Sequence, residues 1–177
     1  MYKKILVALD TQEFCDAVFE EALSIAQSSG AALLLLSVLS PAGDSSLSPM
    51  MYPGLSGYPF SIPEATWNAY QERYQAYQTK SLDRLTRLEN KAIARGVQTY
   101  VQQEVGQPGP VICKIAQQEE TDLVVVGNHG RRGVDEFIMG SVSSYVMHRA
   151  ACSVLVARAA AELRRQSQAL GSIAAVS

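Results

Sequence analysis

This 177-residue chain has few cysteines, little net charge and no long apolar run. The cysteines Cys15, Cys113 and Cys152 are far apart and form no C-x-x-C pair, which argues against a disulfide framework or a zinc site and favours reduced thiols. The net charge is only -2, without the basic excess that binding to a nucleic-acid backbone requires. No apolar run reaches the roughly 18 residues of a membrane span.

The amino-terminal residues run directly into a strand-like pattern without the apolar core of a signal peptide. We therefore expect a cytoplasmic protein with neither a membrane nor a nucleic acid as partner. Hydrophobic residues make up 47% of the chain and charged residues 18%, as in a globular domain with one core. The expected domain is 1–158, with a variable loop rich in Pro, Gly and Ser at 41–63, followed by a loose tail at 159–177.

Short apolar runs alternate with helical patterns, which predicts βαβ units and a parallel sheet covered on both faces. The predicted strands are Ile5–Leu9, Ala31–Leu39, Val97–Val105, Leu123–Val126 and Val154–Ala157. Ligands of such sheets bind beyond the carboxyl ends of the strands, where the strand order reverses. Asp10 and the loop that starts at Gly127 are therefore the expected site.

The longest predicted helix begins at a capping box of Ser61 and Glu64 and ends at Gly96. One of its faces is interpreted as a packing surface, carrying Tyr70, Tyr74, Tyr77, Leu85 and Leu88. A helix is also predicted between the first two strands, because Phe14, Val18, Ala22, Ile25 and Ala26 recur at helical spacing and Ser29-Gly30 ends it. Two further helices are predicted at Pro110–Glu119 and Ser141–Ala150.

The loop between Gly127 and Ser141 reads G-N-H-G-R-R-G-V-D-E-F-I-M-G-S. Glycine lets a ligand approach the main chain, and Ser141 is predicted to cap a helix whose first N–H groups form an anion site. Arg131 and Arg132 add positive charge, and Asp10 offers a carboxylate to a base or ribose. A nucleotide site and a plain tight turn both remain open on this spacing. The absence of G-x-x-x-x-G-K-[ST] excludes a P-loop NTPase, and the absence of G-x-G-x-x-G argues against a Rossmann dinucleotide site.

Three motifs together resemble the universal stress protein family, over about residues 2 to 158. They are K-K-I-L-V-A-L-D, T-D-L-V-V-V-G and V-V-V-G-N-H-G-R-R-G-V-D-E-F-I-M-G-S-V-S-S-Y-V-M-H-R-A-A-C-S-V-L-V-A-R. ATP-binding members of the family carry Gly, two residues, Gly, nine residues, and then Gly followed by Ser or Thr. Gly127, Gly130, Gly140 and Ser141 match that pattern in full.

The resemblance implies a single-domain, Rossmann-like three-layer sandwich, with five parallel strands in the order 3-2-1-4-5 and ATP between the first and fourth strands. The residues implied in nucleotide binding are Ala8, Asp10, Thr11, Val38, Gly127, His129, Gly130, Arg131, Arg132, Gly140, Ser141, Val142 and Ser143. Asp10 and Val38 would meet the adenine end, and the last glycines and serines the phosphates. The resemblance also implies a homodimer paired through Val154, Leu155 and Val156. Two departures from the family pattern are Thr11-Gln12, where Gly-Ser is usual, and Cys152-Ser153, where Cys-Pro is common.

The implied function is that of a cytosolic stress-response regulator whose bound ATP favours one conformation and reports to a protein partner. We predict no catalytic residue and no metal ligand, because no catalytic triad can be assembled and Asp135 with Glu136 is more simply a solvated surface than a magnesium site. The alternatives are a weak ATPase or autophosphorylating enzyme with Ser141 or Ser143 as acceptor, and a receptor for AMP or a cyclic dinucleotide. A nucleotide-free scaffold is also open, although the intact glycine pattern argues against it.

Overall fold

The computed structural model describes residues 1–10, 15–40, 64–128 and 139–157, without the side chains of residues 15 and 64–66. Within these ranges strands and helices alternate along the chain. The strands are β1 (Lys4–Ala8), β2 (Ala32–Leu39), β3 (Thr99–Val105), β4 (Leu123–Gly127) and β5 (Ser153–Ala157). The helices are α1 (Cys15–Ser29), α2 (Glu64–Ala94), α3 (Pro108–Gln118) and α4 (Ser141–Arg149).

The five strands form one parallel sheet in the order β3-β2-β1-β4-β5, which confirms the predicted α/β fold and strand order. β1 lies between β2 and β4, with Val7 opposite Leu35 on one side and Val125 on the other. The chain runs outward from β1 to β2 and β3, then returns to place β4 on the other side of β1. The strand order therefore reverses between β1 and β4, where such sheets bind ligands.

Two hydrophobic cores cover the two faces of the sheet, because successive residues of a strand point to opposite faces. One core packs α1 and α2 against the sheet around Phe19, Leu35 and Leu85. The other packs α3 and α4 against the opposite face around Leu36 and Val146. The central strands are nearly continuous apolar runs, as expected of parallel strands that are buried on both faces.

The helix ends follow the sequence at two glycines. Gly30 and Gly96 have positive φ angles of 72° and 78°, which favour glycine, and they end α1 and α2 as predicted. α3 begins at Pro108, two residues earlier than predicted. A proline fits there, and a second at Pro110 still fits, because the first turn of a helix needs no backbone donor.

The predicted packing face of α2 is confirmed in its carboxyl-terminal half, where Leu85 and Leu88 are each only 2% exposed. In the amino-terminal half, Tyr70 and Tyr74 are half-buried and their rings stack at 6.2 Å. Trp67 stacks on Tyr70 at 5.8 Å and is 44% exposed. In the part of the chain that the structure describes, no helix is long and apolar enough to span a bilayer.

Candidate functional site at the carboxyl ends of β1 and β4

Asp10 and Val38 lie at the carboxyl ends of adjacent strands. The backbone N–H of Leu9 donates to the carbonyl of Leu36 at 2.8 Å, so the chain remains beside β2 until it reaches Asp10. Asp10 is exposed, whereas Ala8 and Val38 are half-buried and pack against the core under α3 and α4. This edge of the sheet therefore presents a carboxylate next to a small apolar surface.

Gly127 is the last residue of β4, and a side chain of α4 holds it in place. Ser143 is only 2% exposed, and its hydroxyl donates to the Gly127 carbonyl at 2.6 Å. The next backbone N–H, that of Asn128, donates to Ala157 at 2.9 Å. These two hydrogen bonds fix the end of β4 against both α4 and β5.

The prediction that Ser141 caps α4 is wrong by one residue, because Gly140 is the N-cap and Ser141 is the first helical residue. The backbone N–H of Ser144 donates to the Gly140 carbonyl at 2.9 Å, as the first hydrogen bond of the helix. The N–H groups of residues 141–143 precede that bond and have no partner within the helix. Gly140 supplies no side-chain cap, so these donors suit an anion that approaches the positive end of the helix dipole.

The backbone conformation at Gly140 does not require a glycine. Its φ of -60° and ψ of 152° lie in a region open to every residue. The reasons that remain for a glycine here are N-capping and the close approach of another group to the main chain. Val142 follows it on α4 and packs, half-buried, against the same core as Ala8 and Val38.

Five of the predicted nucleotide-binding residues lie outside the described residues. They are Thr11, His129, Gly130, Arg131 and Arg132. The acidic pair Asp135 and Glu136 also lies outside them. Within the described ranges, no three His, Cys, Asp or Glu side chains come together as a metal site.

The sequence reasoning missed a small cavity between α2 and the ends of β1 and β2. It measures about 10 Å³, close to the room that one water molecule needs. Its lining residues are Leu9, Asp10, Ser37, Ser81, Arg84 and Leu85. The Ser81 hydroxyl donates to the Ser37 hydroxyl at 2.8 Å, and both serines are buried. Ser37 interrupts the apolar run of β2, and that interruption was the available clue.

Two shifted pKa values belong to groups away from this edge. Backbone N–H groups of Lys4 and Lys3 donate to the Asp122 carboxylate at 3.0 and 2.7 Å and lower its pKa. Asp122 precedes β4, so these bonds join the amino ends of β1 and β4. Burial raises the pKa of the Cys113 thiol on α3, and the nearby Cys152 raises it further.

The fold and this edge define an α/β protein with a doubly wound parallel sheet and, at its switch point, a helix whose N-cap residue supplies no side-chain cap. A model of the universal stress protein family matches residues 1–158. The chain therefore belongs to that family. The universal stress protein Sll1388 of Synechocystis is 34% identical over 158 residues, which cover 88% of this chain and 97% of the relative.

Solved structures of the family share the fold. Universal stress protein UspA from Lactobacillus plantarum superposes with a TM-score of 0.68 at 28% identity, over 89% of this chain and 98% of that protein. A universal stress protein family protein from Arabidopsis thaliana with AMP bound gives a TM-score of 0.59 at 23% identity, over 88% and 91% of the two chains.

Proposed function

We propose that this protein binds an adenine nucleotide, ATP foremost, across the carboxyl ends of β1 and β4 and acts as a nucleotide-dependent regulator in the cytosolic stress response. The observation that carries the proposal is the start of α4. Gly140 supplies no side-chain cap to the first N–H groups of this helix and has no Cβ beside them, and the Ser143 hydroxyl holds the adjoining end of β4. The AMP found in the Arabidopsis relative supports the choice of ligand class.

The proposed roles follow the two ends of the nucleotide. Ala8, Asp10 and Val38 receive the adenine or ribose, together with Thr11 of the adjoining segment. Gly127 and His129 lie along the ribose. The phosphates are bound by main chain and charge, through Gly130, Arg131, Arg132, Gly140, Ser141, Val142 and Ser143. Ser143 contributes its backbone N–H, because its hydroxyl already donates to Gly127.

The decisive experiment is mass spectrometry of small molecules released from the purified protein, followed by melting of the stripped protein with added ATP or AMP. A nucleotide at 100 times its dissociation constant adds about 2.7 kcal/mol of stability. For a chain of this size, that corresponds to a rise of about 5–11 °C in melting temperature. Stripped protein whose melting temperature is unchanged at millimolar ATP and AMP contradicts nucleotide binding.

Autophosphorylation is the second candidate function, and the two serines differ in access. Ser141 is exposed, whereas Ser143 is 2% exposed and hydrogen-bonded. Phosphate transfer from ATP would therefore label Ser141. Incubation with γ-labelled ATP, with Ser141→Ala as the test variant and Ser144→Ala as its control, measures this. Label that survives in Ser141→Ala excludes that acceptor.

A homodimer through β5 completes the proposal. β5 pairs with β4 on one side and forms the edge of the sheet, and Val154, Leu155 and Val156 along it are only half-buried. An apolar edge strand favours pairing with a second copy about a two-fold axis. Light scattering is expected to give a dimer at tens of micromolar and a monomer for Leu155→Pro. A monomeric wild type at that concentration contradicts this interface.

A further inference from the structure

The face of α2 that packs on the sheet extends to the carboxyl end of β2. Leu88 and Leu85 pack in the core, and one turn further toward the amino terminus Ser81 donates its hydroxyl to Ser37. Ser37 directly precedes Val38, which is proposed to meet the adenine. α2 therefore reaches the adenine end of the proposed site from the opposite face of the sheet.

Arg84 lies on the same face of α2 and is largely buried. Its side chain is 18% exposed, and one guanidinium nitrogen donates to the Asp16 carboxylate of α1 at 3.3 Å. The same residue lines the small cavity together with Asp10 and the Ser37–Ser81 pair. A cation and two carboxylates thus converge where β1 ends.

A guanidinium suits this place because it carries five donors in a fixed plane and stays protonated. One of these donors serves Asp16, and the side chain also borders the cavity that Asp10 and the two serines line. A carboxylate held by a neighbouring cation loses rotational freedom and presents its remaining lone pairs in one direction.

We propose, on the basis of the nucleotide site above, that Arg84 is a positioning residue for its adenine end. Arg84 acts through Asp10, orienting the carboxylate that receives the adenine or ribose. Its effect is confined to that end, because the cavity lies in the layer of α1 and α2. The phosphate-binding start of α4 lies in the layer on the opposite face of the sheet.

Arg87 is a matched control on the same helix. It donates to the same Asp16 oxygen at 3.4 Å, but its side chain is 64% exposed and it does not line the cavity. Substituting either arginine removes an ion pair to Asp16, whereas only Arg84 adjoins Asp10. A difference in nucleotide affinity between the two variants therefore reflects the position of Arg84 at the cavity and not the loss of an ion pair with Asp16.

The test is calorimetric titration of ATP and of AMP into wild type, Arg84→Gln and Arg87→Gln. Because losing a hydrogen bond to a charged group is costly, Arg84→Gln is expected to weaken the binding of the nucleotide about tenfold. The loss is expected to be equal for ATP and AMP, which share the adenosine end. Arg87→Gln is expected to bind both within about twofold of the wild type, which is the scale of an exposed pair.

A double-variant cycle with Asp10→Asn separates positioning from loss of structure. If Arg84 acts through Asp10, adding Arg84→Gln to Asp10→Asn lowers the affinity no further. Arg84→Lys keeps the charge and is expected to restore part of the affinity, and it serves as the readout if the glutamine variant does not fold.

Equal losses in Arg84→Gln and Arg87→Gln would overturn the role of Arg84, as would a loss that is larger for ATP than for AMP. Affinity losses of Arg84→Gln and Asp10→Asn that add in full in the double variant would also overturn the role of Arg84. A wild type that binds neither nucleotide would overturn the proposed function itself, so the two failures are distinct.

Discussion

Replacing Gly140 by serine is expected to stabilise the protein and weaken its binding of ATP at once. Gly140 has φ and ψ angles that serine adopts freely, and it caps α4 without a side-chain hydrogen bond. Serine at an N-cap accepts a hydrogen bond from the backbone N–H two or three residues later. Here those donors belong to Val142 and Ser143, which are also the proposed phosphate donors. The new side chain and the phosphate would therefore compete for the same groups.

The two effects have separate magnitudes. Serine improves on glycine at an N-cap by a few tenths of a kcal/mol, and removing a glycine from the unfolded chain adds about 0.4–1 kcal/mol. A gain of about 1 kcal/mol raises the melting temperature by about 2–4 °C for a chain of this size. Losing one hydrogen bond to a charged group costs about 1.5–3 kcal/mol, so the ATP affinity is expected to fall by at least about tenfold.

Thermal melting without nucleotide and calorimetric titration of ATP measure the two effects on one preparation. Gly140→Ala is the matched control, since it adds a Cβ without a capping oxygen and is expected to melt below the serine variant. A Gly140→Ser protein that melts higher yet binds ATP like the wild type would refute the reasoning, because the capped amides would then not be the phosphate donors.

Three further predictions concern packing and charge in the fold. Ser143→Ala removes the donor to the Gly127 carbonyl and is expected to cost about 1–3 kcal/mol in urea unfolding; an unchanged midpoint would contradict the role of that bond. A Cβ on Gly109 would lie 2.8 Å from the Tyr145 ring, so Gly109→Ala is expected to cost about 1–3 kcal/mol, and the loss should vanish in a Tyr145→Ala background. Asp122→Asn is expected to lower the melting temperature at neutral pH. Because backbone hydrogen bonds in the fold lower the pKa of this carboxyl, its contribution to stability is fully present above the pKa of the unfolded group and disappears as the pH falls through the lower pKa of the folded state. Melts from pH 2.5 to 7 test this, and a difference from wild type that persists at the acid end would contradict it.

Much of the fold could be predicted because its central strands are buried on both faces. Continuous apolar runs identify such strands without an alternating pattern, and helical segments between them indicate parallel pairing. Gly30 and Gly96 ended their helices where predicted, since positive φ angles are costly for other residues. The strand order, by contrast, came from the family resemblance, because apolar periodicity alone does not specify which strands become neighbours.

The errors in the sequence reasoning arose where two residues could fill one role. Gly140 and Ser141 both suit an N-cap, and the serine was preferred for its hydroxyl, whereas the structure caps α4 with the glycine. Pro108 and Pro110 both suit the first turn of α3, and the helix includes both. In each case the choice depends on the path of the preceding chain, which local propensity does not determine.

The contribution of α2 to the site was missed for a different reason. Arg84 is separated from Asp10 by more than 70 positions and carries no motif, and a charged residue near an apolar stripe is ordinarily a solvated one. The hydrogen bond between Ser81 and Ser37 fixes how far α2 extends along β2, and only this packing places Arg84 near Asp10. Long-range placement of this kind requires the packed structure.

The layered arrangement has a consequence for how a bound nucleotide would act. Ser37 and Val38 are adjacent on β2 but point to opposite faces of the sheet, toward α2 and toward α3 and α4 respectively. A nucleotide that spans from Asp10 to Gly140 would therefore depend on both helical layers. Such a ligand binds most tightly to the conformation in which both layers are in place. It can shift the population toward that conformation only by the difference between its affinities for that conformation and for the others. That coupling is what a nucleotide-dependent regulator needs, and it requires no catalytic group.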